Sequence, residues 1–576
     1  MKSIVSIIFS FATLLLNAQT NMKFTNTSVD NILKGNYNPS SYYSSLQISN
    51  KNEILNSIIN EINNDSILNY LYKLESFYTR NTGSDTVSNN KGIGAARRWA
   101  FQKLASFKKE SPLQTSYFQF DKNICNISQH RNILATLPGI DTSLKEVCLI
   151  EAHIDSRCEN SCDTNCIASG MEDNGSGVAL VLELARVLSK YNFKRTIVFL
   201  LTVGEEQGLD GSSAFAQYCL DQKINIYSVL NNDIVGGVIC GKTASPPGCP
   251  GENAIDSLNV RLFSFGTNAS LHKGFARFVK LEYEEEVMTK LTIKPIINIM
   301  NAEDRTGRGG DHIPFRQKSY TSIRLTSANE HGDANPLAGY TDRQHSTRDV
   351  LGKDINGDNK IDSFYVNVNY LKRNAIINGN ALSLVANGPL KPNYTLVNDG
   401  NGVSININSS KPYPFYRIGF RFRKNDFDTL ITISTNEYRA FHVRKDSIYF
   451  VSVCAVDENG IESLFSNEQY IKVVNSPNVS APNKQPIENI KLLTIIPNPF
   501  DETTTFSIIA NKKMVGKNAE ISITDIAGKN IISLKQSLQE GLNEILYEPN
   551  EPKGKLFFAT LNVDGKVIET VKIYFR

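Results

Sequence analysis

The sequence predicts an α/β protein: a mostly parallel, mixed sheet with helices on both faces, followed by two small all-β sandwich modules. From Glu146 to about Gly236, short β-rich runs alternate with helical runs, which is typical of a parallel sheet covered by helices. After Lys391 the runs are short, alternating and rich in β-branched residues, which indicates small antiparallel sandwiches. A chain of 576 residues is long enough for this set of domains.

The N-terminal residues, 1–19, have the pattern of a secretory signal peptide. Lys2 precedes an apolar run from Ile4 to Leu16, and small and polar residues follow around Ala18. The run is shorter than the roughly 20 residues that cross a bilayer, and no later segment of the sequence is apolar and long enough to do so. We therefore expect an exported protein that is secreted or held at the cell surface.

The next segment, up to about residue 107, has apolar residues at helical spacing, as in EILNSIINEI and GIGAARRWAFQKLASF. We expect these helices to cover one end of the sheet, within a domain that spans residues 20–390. A cleavable pro-segment is the alternative interpretation. A helix from about Tyr370 to Ala386 should end the domain, because turn residues and two prolines follow it in NGPLKPNY.

The composition of the chain indicates which class of partner it binds and whether its cysteines form disulfides. The 61 basic and 58 acidic residues leave a formal net charge of +3, which favours a peptide or small molecule over nucleic acid. Nine cysteines in an exported chain favour disulfides, and the odd number leaves at least one thiol free or paired outside the chain. Cys158, Cys162 and Cys166 share one loop, where disulfides are a better interpretation than a thiolate zinc site.

Acidic and imidazole side chains concentrate in short turns between Glu151 and Asp233. The turns read EAHIDS, MEDNGSG, TVGEEQG and NNDIVGG, and each follows an apolar run. His153, Glu205 and Asp233 fall at or just after predicted strands, and in parallel sheets the carboxyl ends of the strands are where ligands bind. This concentration predicts most of a two-metal hydrolytic site, which His345 completes.

The ligand types divide naturally between two zinc ions. A zinc pair about 3.5–4 Å apart needs one carboxylate that reaches both ions. Asp173 suits this role because it lies beside glycines at the start of a helix, where the helix dipole favours an anion. Each metal then needs one imidazole and one carboxylate. The sequence supplies them as His153 with Asp233, and Glu206 with His345.

Two further acids have predicted catalytic roles. Glu205 and Glu206 are adjacent, and in a tight turn one can bind metal while the other faces the bridging water. Glu205 is then the general base that takes a proton from water and passes it to the leaving amine. Asp155 can accept the second N–H of His153 and fix the tautomer of that ring.

These motifs together resemble those of the co-catalytic di-zinc aminopeptidases, a family that also contains glutamate carboxypeptidases and glutaminyl cyclases. The resemblance covers roughly residues 65–388, with HID, EDNGSGVA, GEEQGLDGS, NDIVG, GGDHIPF and QHSTRD in order. It implies a secreted aminopeptidase in which a hydroxide bridging two zinc ions attacks the peptide bond. It implies Glu205 as base, Asp155 behind the first histidine, and the ligands His153, Asp173, Glu206, Asp233 and His345.

The resemblance also implies substrate contacts. Asp311 and His312 of GGDHIPF would line the substrate side of the site, with packing of His312 beneath the pocket as the alternative. A tyrosine hydroxyl assists the oxyanion in some relatives, and either Tyr340 or Tyr320 is a candidate for that role here.

Three other functions stay open on the sequence. A glutaminyl cyclase uses a single zinc, and the presence of both ligand pairs argues against it. A non-catalytic surface binding protein would use the β-modules, and an intact Glu205 argues against that. A carboxypeptidase would need a cationic pocket for the substrate carboxylate, for which the candidates are Arg305, Arg308, Arg316 and Arg324.

The segment DINGDNKID spaces its oxygens like the first positions of a calcium-binding EF-hand loop. The sixth position is Asn359 and the twelfth is Tyr365, so a polar insertion is the alternative interpretation. The candidate calcium ligands are Asp354, Asn356, Asp358 and Asp362.

The C-terminal part of the chain contains two predicted modules joined by a linker. Residues 391–474 include YFVSVCAVDENGIESLFSN, which resembles the late strands of a fibronectin type III domain. Residues 475–490 are rich in Pro, Asn and Ser and are a predicted linker. Residues 491–576 resemble the sorting domain that directs Bacteroidetes-type proteins through type IX secretion, with PNPF and TDIAGK matching and GKLFFATL departing from the usual glycine-tyrosine pairing. The resemblance implies the secretion machinery as a partner.

Overall fold

The structure is a computed structural model that describes most of residues 19–575. The apolar run of the predicted signal peptide, the predicted linker and Tyr340 lie outside the described residues. The positions outside the description are 1–18, 45, 48–49, 243, 245, 268, 306–307, 331–342, 359, 399–402, 423–424, 441–447, 473–490, 497, 501–502, 511–513, 527, 540, 550–553 and 576.

The chain divides into two compact units. The first contains Met1–Leu390 and Val456–Leu464, and the second contains Lys391–Ala455 and Phe465–Arg576. Ile461 and Leu464 belong to the hydrophobic core of the first unit, and Glu462 of the same segment lies 3.6 Å from the ammonium of Lys51. The first unit is therefore discontinuous in sequence.

A nine-stranded mixed sheet forms the centre of the first unit in the described part of the chain. In chain order its strands are β1 (Thr20–Phe24), β2 (Gln114–Ile124), β3 (Ile127–Leu137), β4 (Val147–His153), β5 (Thr196–Thr202), β6 (Ile226–Asn232), β7 (Asn259–Ser264), β8 (Ile296–Ile299) and β9 (Ser322–Ser327). Their spatial order is β1-β2-β3-β5-β4-β6-β9-β7-β8. The four strands β5, β4, β6 and β9 run parallel to one another, and antiparallel neighbours flank them on both sides. The predicted mixed sheet is confirmed.

Helices pack against the sheet and against one another. Those of the N-terminal segment contribute Ile58, Leu71 and Leu74 to the same core as the sheet, and Gly379 of the last helix lets Ile58 and Leu184 approach closely. The N-terminal helices are thus part of the core of the first unit. The helices are α1 (Thr27–Leu33), α2 (Lys51–Glu61), α3 (Asn64–Glu75), α4 (Gly92–Ser106), α5 (Ser176–Leu188), α6 (Asp210–Asp221), α7 (Leu271–Glu282), α8 (His312–Gln317) and α9 (Val368–Asn387). Two short strand pairs, Leu46–Gln47 with Tyr191–Asn192 and Gly352–Lys353 with Ser363–Phe364, complete the unit.

Two of the central strands, β4 and β5, are buried along their whole length, which explains their sequences. Every residue of β4 and β5 is buried, including the ionisable Glu151 and His153. Parallel strands covered on both sides are nearly continuous apolar runs, so a charged residue in such a strand calls for a specific reason. At His153 the reason is that β4 ends there, at the edge of the sheet where the loops converge.

The second unit consists of small all-β sheets, as predicted. The strands of its N-terminal part are β10 (Asn393–Asn398), β11 (Val403–Asn408), β12 (Phe415–Arg421), β13 (Thr429–Ile433), β14 (Glu437–Ala440), β15 (Ile448–Val456) and β16 (Gln469–Lys472). Those of its C-terminal part are β17 (Lys491–Ile496), β18 (Thr504–Ala510), β19 (Asn518–Asp525), β20 (Asn530–Ser537), β21 (Gly541–Tyr547), β22 (Lys555–Val563) and β23 (Lys566–Phe575). The N-terminal part has sheets ordered β10-β11-β14 and β13-β12-β15-β16, and the C-terminal part has sheets ordered β17-β18-β21 and β20-β19-β22-β23. Among the described residues, none of the helices has the length and apolar character needed to cross a membrane.

Candidate metal centre

The five predicted metal ligands lie at or beyond the carboxyl ends of four strands of the first unit. His153 is the last residue of β4, and Asp233 follows the last residue of β6. Glu206 lies in the turn after β5, Asp173 precedes α5, and His345 lies between β9 and α9. The fold brings together residues that are nearly two hundred positions apart, because parallel strands end at one edge of the sheet.

These residues form two clusters that share Asp173. His153 Nε2 lies 3.2 Å from Asp173 Oδ1 and 3.4 Å from Asp233 Oδ1. His345 Nε2 lies 3.0 Å from Asp173 Oδ2 and 3.3 Å from Glu206 Oε2. Within each cluster the possible ligand atoms are all within 4.8 Å of one another. The two oxygens of Asp173 thus face different imidazoles, as a bridging ligand requires.

Two buried atoms in these clusters indicate that a cation belongs there. His153 Nε2 and Glu206 Oε1 are buried and have no hydrogen-bond partner within the described chain. Buried polar atoms are normally paired, so an unpaired one needs an explanation. Imidazole nitrogen and carboxylate oxygen are the donors that zinc prefers, and a metal would satisfy both atoms. The donor set therefore fits zinc.

The electrostatics of the clusters lead to the same interpretation. Burial alone would lower the pKa of His153, but the carboxylates of Glu205, Asp155, Asp173 and Asp233 raise it well above its usual value. Burial would likewise raise the pKa of Asp173, yet its contacts with the two imidazoles hold it well below its usual range. An excess of carboxylates around buried imidazoles is an environment that a cation stabilises.

Glu205 lines the cavity beside the two clusters. Gly204 has a φ of 73° and allows a tight turn, in which the N–H groups of Gly208 and Leu209 donate to the carbonyl of Glu205 at 3.0 and 2.9 Å. Burial raises the pKa of Glu205 well above its usual value, and although nearby His153 opposes this, Asp233 reinforces it. A carboxylate with a raised pKa can hold a proton transiently, as a general base must.

Asp155 lies beside His153, and its main chain makes the shorter of the two contacts. The Nδ1 atom of His153 lies 3.1 Å from the backbone oxygen of Asp155 and 3.7 Å from its carboxylate. The carboxylate instead accepts hydrogen bonds from the hydroxyl of Thr82 at 3.1 Å and from the N–H groups of Glu205 and Glu206 at 3.4 and 3.3 Å. The main chain of Asp155 therefore orients the histidine, and its side chain holds the glutamate turn.

The structure places neither of the two predicted substrate residues of GGDHIPF on the cavity. Asp311 is fully buried and accepts hydrogen bonds from the hydroxyls of Thr202 and Ser212. His312 is also buried, with Nε2 3.1 Å from the backbone oxygen of Glu303. Neither residue lines the cavity. The segment begins α8, and its first side chains point into the protein, so the alternative of a histidine packed beneath the pocket is correct.

Among the described residues, neither tyrosine candidate supplies a hydroxyl that could assist the oxyanion. The hydroxyl of Tyr320 donates to the backbone oxygen of Ile224 at 3.0 Å and its ring packs against the core. Tyr340 lies outside the described residues, so its proposed role stays a prediction.

Two arginines that contact metal ligands were not predicted for this role. Arg157 Nε donates to Glu206 Oε2 at 2.7 Å, and its Nη2 lies 2.9 Å from Nδ1 of His345. Arg324 Nη2 lies 3.1 Å from Asp233 Oδ2. Each cluster thus has one terminal carboxylate that is paired with a guanidinium. No periodicity or ligand spacing in the sequence distinguishes these arginines from the others.

Asp349 was also missed, although it ends the QHSTRD motif. Its two carboxylate oxygens accept from the N–H groups of Glu172 and Asp173 at 2.8 and 3.0 Å. Burial raises the pKa of Asp349 to about 7, although these two N–H groups oppose the shift. Asp349 therefore positions the backbone of Asp173.

Disulfides confirm the prediction for the cysteine-rich loop. The loop that follows Arg157 is closed by one bridge within itself and tied by another to the turn between β2 and β3. Cys148 and Cys219 are buried thiols outside these bridges. The three disulfides are Cys125 with Cys162, Cys158 with Cys166, and Cys240 with Cys249.

The predicted calcium ligands are used by their own loop. Asp362 accepts from the N–H groups of Ile355 and Asn356 at 2.7 and 3.1 Å, and Asp354 accepts from that of Gly357 at 2.7 Å. The metal-binding clusters found among the described residues do not include this loop. Calcium binding stays a prediction.

Close packing around Gly177 leads to a testable expectation about the bridging segment. A methyl group at this position would overlap the backbone oxygen of Asn232 and the side chain of Asn174. We expect Gly177→Ala to destabilise the first unit by about 1–3 kcal/mol, as overpacking of a tight site does. Thermal unfolding would measure this as a lower midpoint.

The matched control is Gly274→Ala in α7, where nothing lies within 4 Å of the added methyl group. Because alanine favours helix more than glycine does, this change should keep or raise the midpoint. Equal midpoints for the two variants would contradict the close approach of α5 and β6.

The fold and the paired clusters define a metallohydrolase of the α/β class. Residues 132–244 match peptidase family M28. A probable zinc metalloprotease of Pyrenophora tritici-repentis is 32% identical over 362 residues, which are 60% of this chain and 79% of the relative. One of Phaeosphaeria nodorum is 31% identical over 306 residues, 48% of this chain and 60% of the relative. The chain belongs to peptidase family M28 and is a zinc-dependent peptidase.

Solved structures similar to this chain include two enzymes. The Legionella pneumophila LapA aminopeptidase has 19% identity and a TM-score of 0.42, covering 60% of this chain and 78% of its own. A leucine aminopeptidase precursor from Bacteroides thetaiotaomicron has 16% identity and a TM-score of 0.39, covering 56% of this chain and 97% of its own.

Proposed function

We propose that this M28 peptidase is a di-zinc aminopeptidase that removes N-terminal residues from peptides. The observation that carries the proposal is the pair of ligand clusters that share Asp173 and adjoin the cavity lined by Glu205. A glutaminyl cyclase with one zinc would need one cluster, so the presence of both supports the di-zinc enzyme.

Different residues of this chain have separate roles in the proposed reaction. Zinc ions held at the two clusters would activate water and polarise the scissile carbonyl. Glu205 takes the proton of the attacking water and gives it to the leaving amine. Asp155 and Thr82 hold the turn that aims Glu205, and the backbone oxygen of Asp155 fixes the ring of His153. Asp349 fixes the backbone at Asp173.

The dimensions of the cavity favour an exopeptidase. Its volume is about 390 Å³, which is at the lower end of the roughly 300–1,000 Å³ typical of small-ligand sites. A space of this volume can hold one terminal residue of a peptide. The resemblance of the motifs to di-zinc aminopeptidases supports the amino end.

Export is part of the same proposal. The N-terminal pattern of residues 1–19 supports secretion, and three disulfides suit an oxidising compartment. We infer that residues 391–474 form a fibronectin type III-like module. Residues 491–576 would then be the sorting domain that the type IX secretion machinery recognises.

Peptides that are blocked at one terminus test which end of a peptide the enzyme attacks. We expect stepwise release of residues from a peptide with a free N-terminus, and no release when that terminus is acetylated, with products identified by mass spectrometry. Amidation of the C-terminus should have little effect. Cleavage of the acetylated peptide combined with resistance of the amide would instead identify a carboxypeptidase, and cyclisation of N-terminal glutamine would identify a cyclase.

A further inference from the structure

A fully buried arginine from the N-terminal region contacts the segments that carry the metal ligands. Arg80 belongs to the sequence RNTGSD, in the connection between α3 and α4. It is not among the described residues that line the cavity. Any influence of Arg80 on the metal centre must therefore act through other residues.

The guanidinium of Arg80 donates to backbone oxygens of two segments at once. Nε donates to the oxygen of Ile154 at 2.7 Å, and Ile154 directly follows β4. Nη2 donates to the oxygen of Gly170 at 2.8 Å, and Nη1 donates to that of Ser169. The planar guanidinium presents its N–H donors in a rigid fork. One side chain therefore joins the end of β4 to the segment that leads into α5.

The two joined segments carry ligands of the same cluster. His153 directly precedes Ile154, and Asp173 lies three residues after Gly170. His153 Nε2 and Asp173 Oδ1 are 3.2 Å apart. Because the fork of Arg80 holds both backbones, it limits how far one ligand can move relative to the other.

The surroundings of Arg80 fix its own position. Its backbone N–H donates to the hydroxyl of Ser156 at 3.1 Å, and this hydroxyl donates to the oxygen of Ala168 at 2.7 Å. The backbone at Gly170 has a φ of 57° and packs too closely for a side chain. An added methyl group there would lie 2.4 Å from Ser156 Cβ and 3.2 Å from Arg80 Nη2. The guanidinium is thus enclosed by the segments that it joins.

We propose that Arg80 is a positioning residue of the metal centre, which holds His153 and Asp173 at the separation that lets both bind one zinc ion. Groups behind the ligands of a metal commonly change its affinity by about 10- to 100-fold. The N-terminal region then contributes to metal binding through RNTGSD. The inference rests on the proposed function, because it takes the ligands of the two clusters as assigned.

The charge of Arg80 makes positioning distinguishable from electrostatics. Burial lowers the pKa of Arg80 to about 10, although nearby carboxylates, that of Asp349 foremost, oppose the shift. The guanidinium therefore stays positive at neutral pH and repels a zinc ion bound nearby. Loss of this charge alone would strengthen zinc binding, whereas loss of the positioning contacts would weaken it.

The experiment measures the zinc retained per chain after dialysis against a series of chelator concentrations. Arg80→Lys replaces the fork by a single nitrogen, which cannot reach the same set of oxygens. Arg80→Gln removes the charge. It also leaves no unpaired charge in the interior, so it tests the proposal even where Arg80→Lys does not fold.

The matched control is Arg195→Lys. Arg195 is also fully buried and donates to two backbone oxygens, those of Val385 and Gly388, at 3.0 and 2.6 Å. It directly precedes β5 and so lies at the amino ends of the parallel strands, away from the metal ligands. Its replacement makes the same chemical change at the opposite edge of the sheet.

Both Arg80 variants should bind zinc about 10- to 100-fold more weakly than the wild-type protein, and Arg195→Lys should bind it equally well. Thermal unfolding should show a lower midpoint for the Arg80 variants and for Arg195→Lys, because each loses buried hydrogen bonds. Weaker zinc binding in Arg80→Gln, despite the lost positive charge, would support positioning.

Unchanged or stronger zinc binding in the folded Arg80 variants would overturn the assignment. An equal loss of zinc in Arg195→Lys would overturn it too, since general destabilisation would then explain the loss. Failure of the di-zinc proposal is recognised separately, because the wild-type protein would then hold fewer than two zinc ions. Asp173 belongs to both clusters, so the affinity for a single ion would still test Arg80, and no measurement depends on turnover.

Discussion

Replacing Glu205 with glutamine should reduce kcat by about 10²- to 10⁴-fold, the range that a general base contributes. Glutamine keeps the shape of the side chain but cannot take a proton from water. Glu205 is not a member of either ligand cluster, so the zinc content should not change. Steady-state kinetics on a short peptide, together with metal analysis of the same sample, would measure both quantities.

The control for this experiment is Glu252→Gln, which makes the same chemical change at an exposed position away from the cavity. It should retain wild-type kinetics. Retained turnover in Glu205→Gln would assign the base to another group. Loss of zinc along with turnover would instead make Glu205 a ligand or a structural element.

Replacing Asp173 with asparagine should weaken metal binding in both clusters at once. Asparagine removes the negative charge that faces His153 and His345 through separate oxygens. We expect the affinity for zinc to fall by more than the roughly 10- to 100-fold that loss of an outer hydrogen-bond partner costs. Dialysis against a chelator followed by metal analysis gives the zinc retained per chain.

Single-cluster variants provide the comparison. His345→Gln alters only the cluster with Glu206, and His153→Gln alters only the cluster with Asp233. Each should weaken one metal, whereas Asp173→Asn should weaken two. Asp65→Asn, at an exposed position in α3, should weaken neither. If Asp173→Asn lost no more zinc than the single-cluster variants, the bridging role would be refuted.

The proximity of the predicted metal ligands could be foreseen because their positions follow from topology. His153 and Asp233 end parallel strands, and the edge where such strands end is known before any side chain is located. Asp311 was mispredicted because the start of a short helix has one face toward the cavity and one toward the protein interior. The sequence does not show on which of these faces Asp311 lies. The contact of Asp155 with His153 runs through a backbone oxygen, an atom that every residue has and that no sequence pattern marks.

Arg157 and Asp349 were unpredictable for a different reason. Arg157 reaches Glu206 from a loop whose path depends on two disulfides, and the pairing of cysteines cannot be read from their spacing. Asp349 binds backbone N–H groups on a segment almost two hundred residues earlier. Both contacts depend on backbone outside regular helices and strands, and no periodic pattern of residues predicts the path of such backbone.

The placement of Val456–Leu464 in the first unit changes where the peptidase can be cut from the rest of the chain. Glu462 and Glu282 both lie near the half-buried ammonium of Lys51, at 3.6 and 2.9 Å, and Asp457 pairs with Lys194 at 3.0 Å. A protein truncated at Leu390 keeps Lys51 and Lys194 but loses their partners Glu462 and Asp457. It also loses the apolar side chains of Ile461 and Leu464. The catalytic unit is therefore not genetically separable at Leu390, and any gene fusion, domain swap or protease-trimmed form that preserves it must also keep the connection between β15 and β16.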